Sequence, residues 1–249
     1  MAPPRVVTLT NGAFAENCYL VADPASGEAV IVDPGEEAHL FLKRLRFESW
    51  TLRAIWLTHA HLDHVAGVAE VKAATGAPVH LHSLDRELYD AVPVQARMFG
   101  LAAQAPPPPD ADLAEGQTIT VGACAFGVLH TPGHTPGHVT FAGHGLALVG
   151  DVLFAGSIGR TDLPGGDSET LLRSIHEKLF PLPDETVVYS GHGPETTIGE
   201  EKRSNPFVRL VPGVNACLKC GAVVRPKPWG CKNPCPNCGS VYPLGDCSD

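Results

Sequence analysis

Basic side chains are scarce in this chain of 249 residues: 18 Lys and Arg stand against 27 Asp and Glu, a formal charge of -9. A protein that holds nucleic acid through bulk electrostatics needs a basic patch, so that class is excluded. Nothing approaches the run of about 18 apolar residues that a membrane span requires. Met1-Ala2-Pro3-Pro4-Arg5 leads directly into a strand-like run with no apolar leader, which predicts a cytoplasmic protein without a membrane partner. A spread cysteine framework is also missing: Cys18 and Cys124 are isolated, and the other six crowd between Cys217 and Cys247. That pattern sets aside a disulfide-built scaffold and points to thiolate metal ligation in a reducing compartment. No internal repeat is strong enough to relate one half of the chain to the other.

With 44% hydrophobic residues the chain can bury a substantial core. Val6–Leu9, Cys18–Val21 and Ala29–Val32 are short β-rich runs separated by Gly, Asn, Asp and Pro, the pattern of an antiparallel meander. A helix is expected over Ala38–Leu45, a buried strand at Ile55–Leu57, and a second helix with Val65, Val68 and Val71 on one face, stopped at Gly76. Pro78–His82 reads as a strand, Leu84–Leu101 as weakly helical, and Pro106–Pro109 as a stiff surface connector. Strands return at Gln117–Val121, Ala125–Leu129, Val139–Phe141, Leu146–Val149 and Thr186–Tyr189, with a helix at Thr170–Leu179. Two runs of strands, each with helices attached, imply an α/β protein of two sheets packed face to face with helices outside. Composition shifts to Cys, Pro and Gly near Pro212-Gly213, so the domains are drawn at 1–211 and 212–249.

Chemistry concentrates in Leu57-Thr58-His59-Ala60-His61-Leu62-Asp63-His64. Three imidazoles and a carboxylate within six residues, just after an apolar run, form one side of a metal site. His134 follows a strand on a Gly/Pro-rich turn, Asp151 ends the apolar run Leu146–Gly150, and His192 follows the strand ending at Tyr189 and Ser190. Each is a donor placed directly after a strand among glycines.

In this order, His59-x-His61-x-Asp63-His64, His134, Asp151 and His192 resemble the metallo-β-lactamase superfamily over roughly residues 5 to 210. The runs Phe154–Asp162 and Gly191–Gly199 resemble, more narrowly, bacterial glyoxalase II-like hydrolases that lack a helical glutathione-binding extension. The resemblance implies a four-layer αβ/βα sandwich with two metals at the edge between the sheets. It implies that His59, His61 and His134 hold one ion, that Asp63, His64 and His192 hold the other, and that Asp151 bridges them. The implied activity is hydrolysis of a small-molecule thioester such as S-lactoylglutathione by a metal-bridging hydroxide, with Asp63 orienting it and moving a proton. The ions would take the charge to roughly -5, and zinc, iron or manganese suits the donor set. A thiolate is lacking, since Asp151 stands where many β-lactamases carry Cys, which weakens an antibiotic-hydrolysing role. The rival readings are a mononuclear-iron persulfide dioxygenase, whose family also carries a Gly-Arg-Thr-Asp run, and a non-enzymatic adaptor.

Around this set, Asp33 is either a turn-forming residue before Pro34 or an acceptor for a ligating imidazole's far nitrogen. His138 either supports the ligands or merely packs; His130 and His144 read as structural. Arg160 is either a grip for a substrate carboxylate or a loop clamp paired with Asp162. Gln95–Phe99 reads as a core-facing helix or a lid, Lys202-Arg203 as a solvated pair, and Cys18 and Cys124 as small core residues. In the tail, Cys217-x-x-Cys220-Gly and Cys235-x-x-Cys238-Gly are two knuckles suited to one tetrahedral zinc, a zinc ribbon. Rubredoxin-like iron is the alternative, Cys231 and Cys247 are spare thiols with Cys231 a competitor of Cys235 as ligand, and the tail is either a docking module for a protein partner, an oligomerisation element or a cap on the first domain.

Overall fold

The structure, a computed structural model, describes residues 2–208 and the backbone of two short strands, Asn215–Ala216 and Val223–Val224. The boundary at residue 212 and Cys217, Cys220, Cys231, Cys235, Cys238 and Cys247 lie outside the described residues.

The first sheet is assembled from β1 (Arg5–Asn11), β2 (Glu16–Ala22), β3 (Glu28–Val32), β4 (Thr51–Trp56), β5 (Val79–His82) and β6 (Ala111–Leu113), in that order across the sheet. Its first three strands are the expected antiparallel meander; from β3 to β6 the pairing is parallel. Parallel neighbours need crossovers, and helices provide them. These are α1 (Ala38–Glu48) after β3, α2 (Leu62–Val65) and α3 (Val68–Thr75) after β4, then α4 (Arg86–Asp90) and α5 (Val92–Met98) after β5. Apolar residues of β2 alternate between two faces: Cys18, Leu20 and Ala22 meet the helices, while Tyr19 and Val21 meet the other sheet. That double burial is why every residue of β2 is buried.

The second sheet has the order β14-β13-β10-β9-β8-β7, built from β7 (Thr118–Val121), β8 (Cys124–His130), β9 (Val139–Gly143), β10 (Leu146–Gly150), β13 (Val187–Ser190) and β14 (Thr196–Thr197). A two-stranded hairpin, β11 (Leu153–Phe154) and β12 (Ser157–Ile158), follows β10. The helices α6 (Ser168–Ser174) and α7 (Ile198–Ser204) are its apolar partners: Leu171 and Ile198 pack with Ala147, Val149 and Val188. The result is the αβ/βα sandwich expected from the strand and helix runs. Between the sheets, Trp56 is fully buried with its ring centroid 5.8 Å from that of Phe126 and 5.3 Å from that of Phe141. No helix among the described residues is long and apolar enough to cross a membrane.

Some elements depart from the sequence reading. The helix expected through Val65, Val68 and Val71 is two helices broken at Gly67, although all three valines are buried as predicted. The break has a physical cause: the Gly67 amide donates to Pro34 O at 3.0 Å, and a β-carbon there would sit 2.3 Å from Gly35 O. Thr170–Leu179 is α6 followed by a wider π turn over Ile175–Leu179. Leu84–Leu101 is a 3-10 turn (Ser83–Asp85) followed by α4 and α5. β6, the β11–β12 hairpin, β14 and α7 carry no clear periodicity and exist through tertiary pairing. Cys18 and Cys124 are buried free thiols, as read from their surroundings.

Truncating the ring that joins the two sheets, Trp56→Ala, removes two aromatic contacts from a fully buried position. We expect a loss of about 3–5 kcal/mol, read as a lower urea midpoint with an unchanged slope.

Candidate metal centre

Both sheets direct chain termini of their strands to one edge. From the first sheet, β4 ends at Trp56 and the next eight residues contain His59, His61, Asp63 and His64; β3 ends at Val32 and is followed by Asp33. From the second, β8 leads into the turn bearing His134, β10 is followed by Asp151, and β13 by His192. The donors come together in two triads, His59 with His61 and His134, and Asp63 with His64 and His192; within each, one donor atom per residue lies within 4.8 Å of the others. Asp151 stands between them. Its Oδ1 is 3.5 Å from His64 Nε2, and its Oδ2 is 3.6 Å from His134 Nε2 and 3.5 Å from His192 Nε2.

A layer of hydrogen bonds beneath the imidazoles decides which nitrogen faces the cluster. Asp33 accepts from the Thr58 amide at 2.7 Å through Oδ1 and from the Thr58 hydroxyl at 2.6 Å through Oδ2. Having spent its proton, the Thr58 hydroxyl can only accept from His59 Nδ1, 3.0 Å away. Asp33 Oδ2 also accepts from His64 Nδ1 at 3.1 Å, and Arg160 O accepts from His134 Nδ1 at 2.7 Å. Each of the three rings therefore turns Nε2 towards the cluster, as the atom that would face a cation. His59 Nε2, His64 Nε2 and Asp151 Oδ1 are buried and have no hydrogen-bond partner. Unpartnered polar atoms gathered at one spot are costly unless a cation, a metal ion or at His64 a proton, satisfies them. His61 Nδ1, 2.8 Å from His134 Nε2, belongs to the same convergence. Asp33 with His59 and His64 also forms a close group, but the contacts of Asp33 are filled, so it orients the ligands.

Electrostatics agree with a cation site. Burial, reinforced by neighbouring imidazoles, lowers His59 well below the usual range and His61 to about 3, so both are neutral donors near pH 7. At His64 and His192 burial acts in the same downward direction but is overcome by Asp151 and Asp63, so a proton is drawn onto both rings. Asp151 and Asp63 resist burial and stay ionised below the usual carboxylate range, chiefly through His64. A pocket that attracts protons against desolvation attracts metal ions for the same reason. The residues present therefore fit two divalent ions.

Tight backbone approach completes the cradle. A β-carbon on Gly191 would lie 2.2 Å from Asp151 Oδ1 and 2.6 Å from His64 Cε1, so only glycine fits beside them. His138 is fully buried, accepts from the Asp151 amide at 3.1 Å through Nε2, and lies with its ring centroid 5.0 Å from that of His59. It supports the ligands and is not one of them. His130 stacks on His82 and bonds Pro136 O; His144 accepts from the Ala125 amide. The Arg160 guanidinium is exposed and held by both Asp162 oxygens at 2.7 Å, outside the cluster, while its carbonyl serves His134. Gln95 bonds the Ala60 carbonyl and the Leu62 amide, and Lys202 pairs with Asp184.

The sequence reading missed four further buried acids, Glu16, Asp23, Asp85 and Glu201, of which the last two tie loops together. Asp85 links two ligand loops, and Glu201 with Asn205 pins the β11–β12 hairpin through Gly156 N and the carbonyls of Phe154 and Ser157. Neither has a histidine beside it in sequence, so no local signal marked it.

The metallo-beta-lactamase superfamily model matches residues 11–192. The chain belongs to that superfamily. Among curated relatives, the hydroxyacylglutathione hydrolase GloC of Haemophilus influenzae is 44% identical over 205 residues, covering 79% of this chain and 94% of its own. The solved B3 metallo-beta-lactamase BLEG-1 superposes with a TM-score of 0.78 at 42% identity, over 82% of this chain and 99% of that one. TTHA1623, solved in a di-iron-bound form, gives 0.76 at 45% identity, over 81% of this chain and 100% of that one. About a fifth of this chain thus has no counterpart in TTHA1623. The family expectation from the His-x-His-x-Asp-His run therefore holds, and the chain is a metallo-hydrolase-type protein with His/Asp metal-binding groups.

Removing the acceptor beneath two of these rings, Asp33→Ala, should cost about 10–100-fold in metal affinity, measured by competition with a chromophoric chelator.

Proposed function

We propose that this chain is a dinuclear metal-dependent hydrolase of thioesters, with S-lactoylglutathione or a related glutathione thioester as substrate. The observation that carries it is the pair of donor triads with Asp151 between them, which supports a site for two ions. Similarity to the Haemophilus GloC supports the substrate class. A donor set of imidazoles and carboxylates without thiolate is compatible with zinc, iron or manganese, and the di-iron form of TTHA1623 favours keeping iron among them.

When bound, such ions supply Lewis acidity and a water whose pKa falls from about 15.7 towards about 7. Everything else is done by the chain. His59, His61 and His134 would hold one ion and Asp63, His64 and His192 the other, with Asp151 between. Asp63 is the ionised carboxylate at the more open side, its side chain 19% exposed and its Oδ2 3.2 Å from His192 Nε2. There it accepts and returns the proton of the attacking water. Burial of His59, His61, His64, His134 and Asp151 excludes bulk solvent on that side and strengthens the local field. For Arg160 to grip a substrate carboxylate it must exchange Asp162 for the substrate; otherwise it clamps the loop that orients His134.

The persulfide dioxygenase reading needs a single iron and leaves Asp63 and His192 idle, and the second triad speaks against it. Chelated protein reloaded with zinc or iron should regain hydrolysis of S-lactoylglutathione, with β-lactam turnover and oxygen uptake assayed in parallel. Asp63→Asn should lower kcat by roughly 10²–10⁴. No thioester hydrolysis at two ions per hydrolase domain, or oxygen uptake at one iron, would overturn the proposal.

For the tail we propose one zinc on Cys217, Cys220, Cys235 and Cys238, in a segment that can dock a protein partner. Replacing Cys217 and Cys220 by Ser should remove one zinc per chain by elemental analysis and leave thioester hydrolysis intact; unchanged zinc content would contradict it.

A further inference from the structure

Asp85 sits on the 3-10 turn after β5, fully buried, in a stretch that offers no donor to either triad. All its contacts run to the two loops that carry the first triad. Oδ2 accepts from the Ala60 amide at 3.2 Å, and Ala60 lies between His59 and His61. The same oxygen accepts from the Thr135 hydroxyl at 2.7 Å, and Thr135 follows His134. Oδ1 accepts from the Gly137 amide at 2.6 Å, one residue before His138. The first loop belongs to one sheet and the second to the other, so one carboxylate is bonded across the sandwich directly under three ligands. Packing there leaves no slack: a β-carbon on Gly137 would lie 2.7 Å from both the Asp85 amide and Oδ1.

We propose that Asp85 is a positioning residue that fixes the spacing between the His59/His61 loop and the His134 loop, and so sets the affinity of the first triad for its ion. The inference rests on the dinuclear reading above. The physical reason is that these loops are irregular backbone from separate sheets, with no strand pairing between them. A carboxylate that accepts from both loops at once holds their donors at one separation. The second triad, Asp63 with His64 and His192, has no hydrogen bond to Asp85 and depends on Asp33 and Asp151 instead.

The distinguishing prediction is therefore selective. In Asp85→Asn an amide NH2 replaces one oxygen and must face the backbone N–H of Gly137 or of Ala60, so one of the two loops loses its acceptor and is pushed away. Cobalt(II) titration of the chelated full-length protein, followed by its visible absorption, should show two binding phases in the native protein. In Asp85→Asn the phase belonging to the first triad, identified as the one absent in His61→Ala, should weaken by roughly 10–100-fold. The phase assigned to the second triad, absent in Asp63→Ala, should stay within about threefold. Thr135→Val, which removes one of the three bonds, should give a smaller loss at the same phase and guards against Asp85→Asn failing to fold. Val128→Ala, a core truncation between the sheets, is the control: at a similar loss in Tm it should leave both phases unchanged. Equal weakening of both phases, or of neither, in Asp85→Asn and Thr135→Val would overturn the proposal. A native protein that binds fewer than two cobalt ions would instead overturn the dinuclear reading.

Discussion

Buried polar atoms that face one another without a hydrogen-bond partner are the constraint around which this molecule is built. A buried acceptor that water has left costs about 1–3 kcal/mol if nothing replaces the lost hydrogen bond. His59, His64 and Asp151 each turn one unpartnered polar atom to the same small volume. The arrangement is not an accident of rotamers. Asp33, Thr58 and the Arg160 carbonyl consume the opposite ring nitrogens and leave the inward ones bare. The fold thus carries an unfavourable cluster that bound metal would turn into a favourable one. The same logic explains why carboxylates at its rim draw protons onto His64 and His192 against burial.

Holding such a cluster open requires a stiff frame, and the sandwich supplies it. Donors are mounted at strand ends, where the backbone is still fixed by the sheet but the side chain is free to turn inward. Trp56 and the apolar faces around it keep the sheets in register with each other. Between the rigid strands and the donors lie only short turns, and these turns are tied by buried polar groups: Asp33, Asp85 and His138, with Asn17 at the turn that carries His192. These ties are charge-assisted or fully enclosed, which gives them more weight than the exposed ion pairs of Arg160, Arg173 or Lys178.

Most of the fold and the convergence of the donor residues were legible in sequence because both leave local marks. The meander shows as β-rich runs broken by turn residues, and the cluster shows as four donors in six positions. Asp151 was readable because a lone carboxylate at the end of a buried apolar strand carries a desolvation cost that a neighbouring cation offsets. What escaped detection has no local mark. Asp85 looks like any acid in a weak helix until β5 and the second sheet bring Ala60, Thr135 and Gly137 around it. β6 and β14 are too short for periodicity and exist only because a neighbouring strand offers its edge. Gly67 breaks a helix for the sake of a contact with Pro34 and Gly35, far back in the chain. The choice at His138 between support and packing was settled by one hydrogen bond to the Asp151 amide.

The central claim is that two cations share this cluster. Anomalous diffraction from crystals of metal-loaded protein, recorded on both sides of the absorption edge of the metal supplied, addresses it directly. Two peaks about 3.5–4 Å apart, one beside His59, His61 and His134 and the other beside Asp63, His64 and His192, with Asp151 touching both, is the predicted result. A single peak at full loading, or density that leaves either triad unliganded, would contradict it.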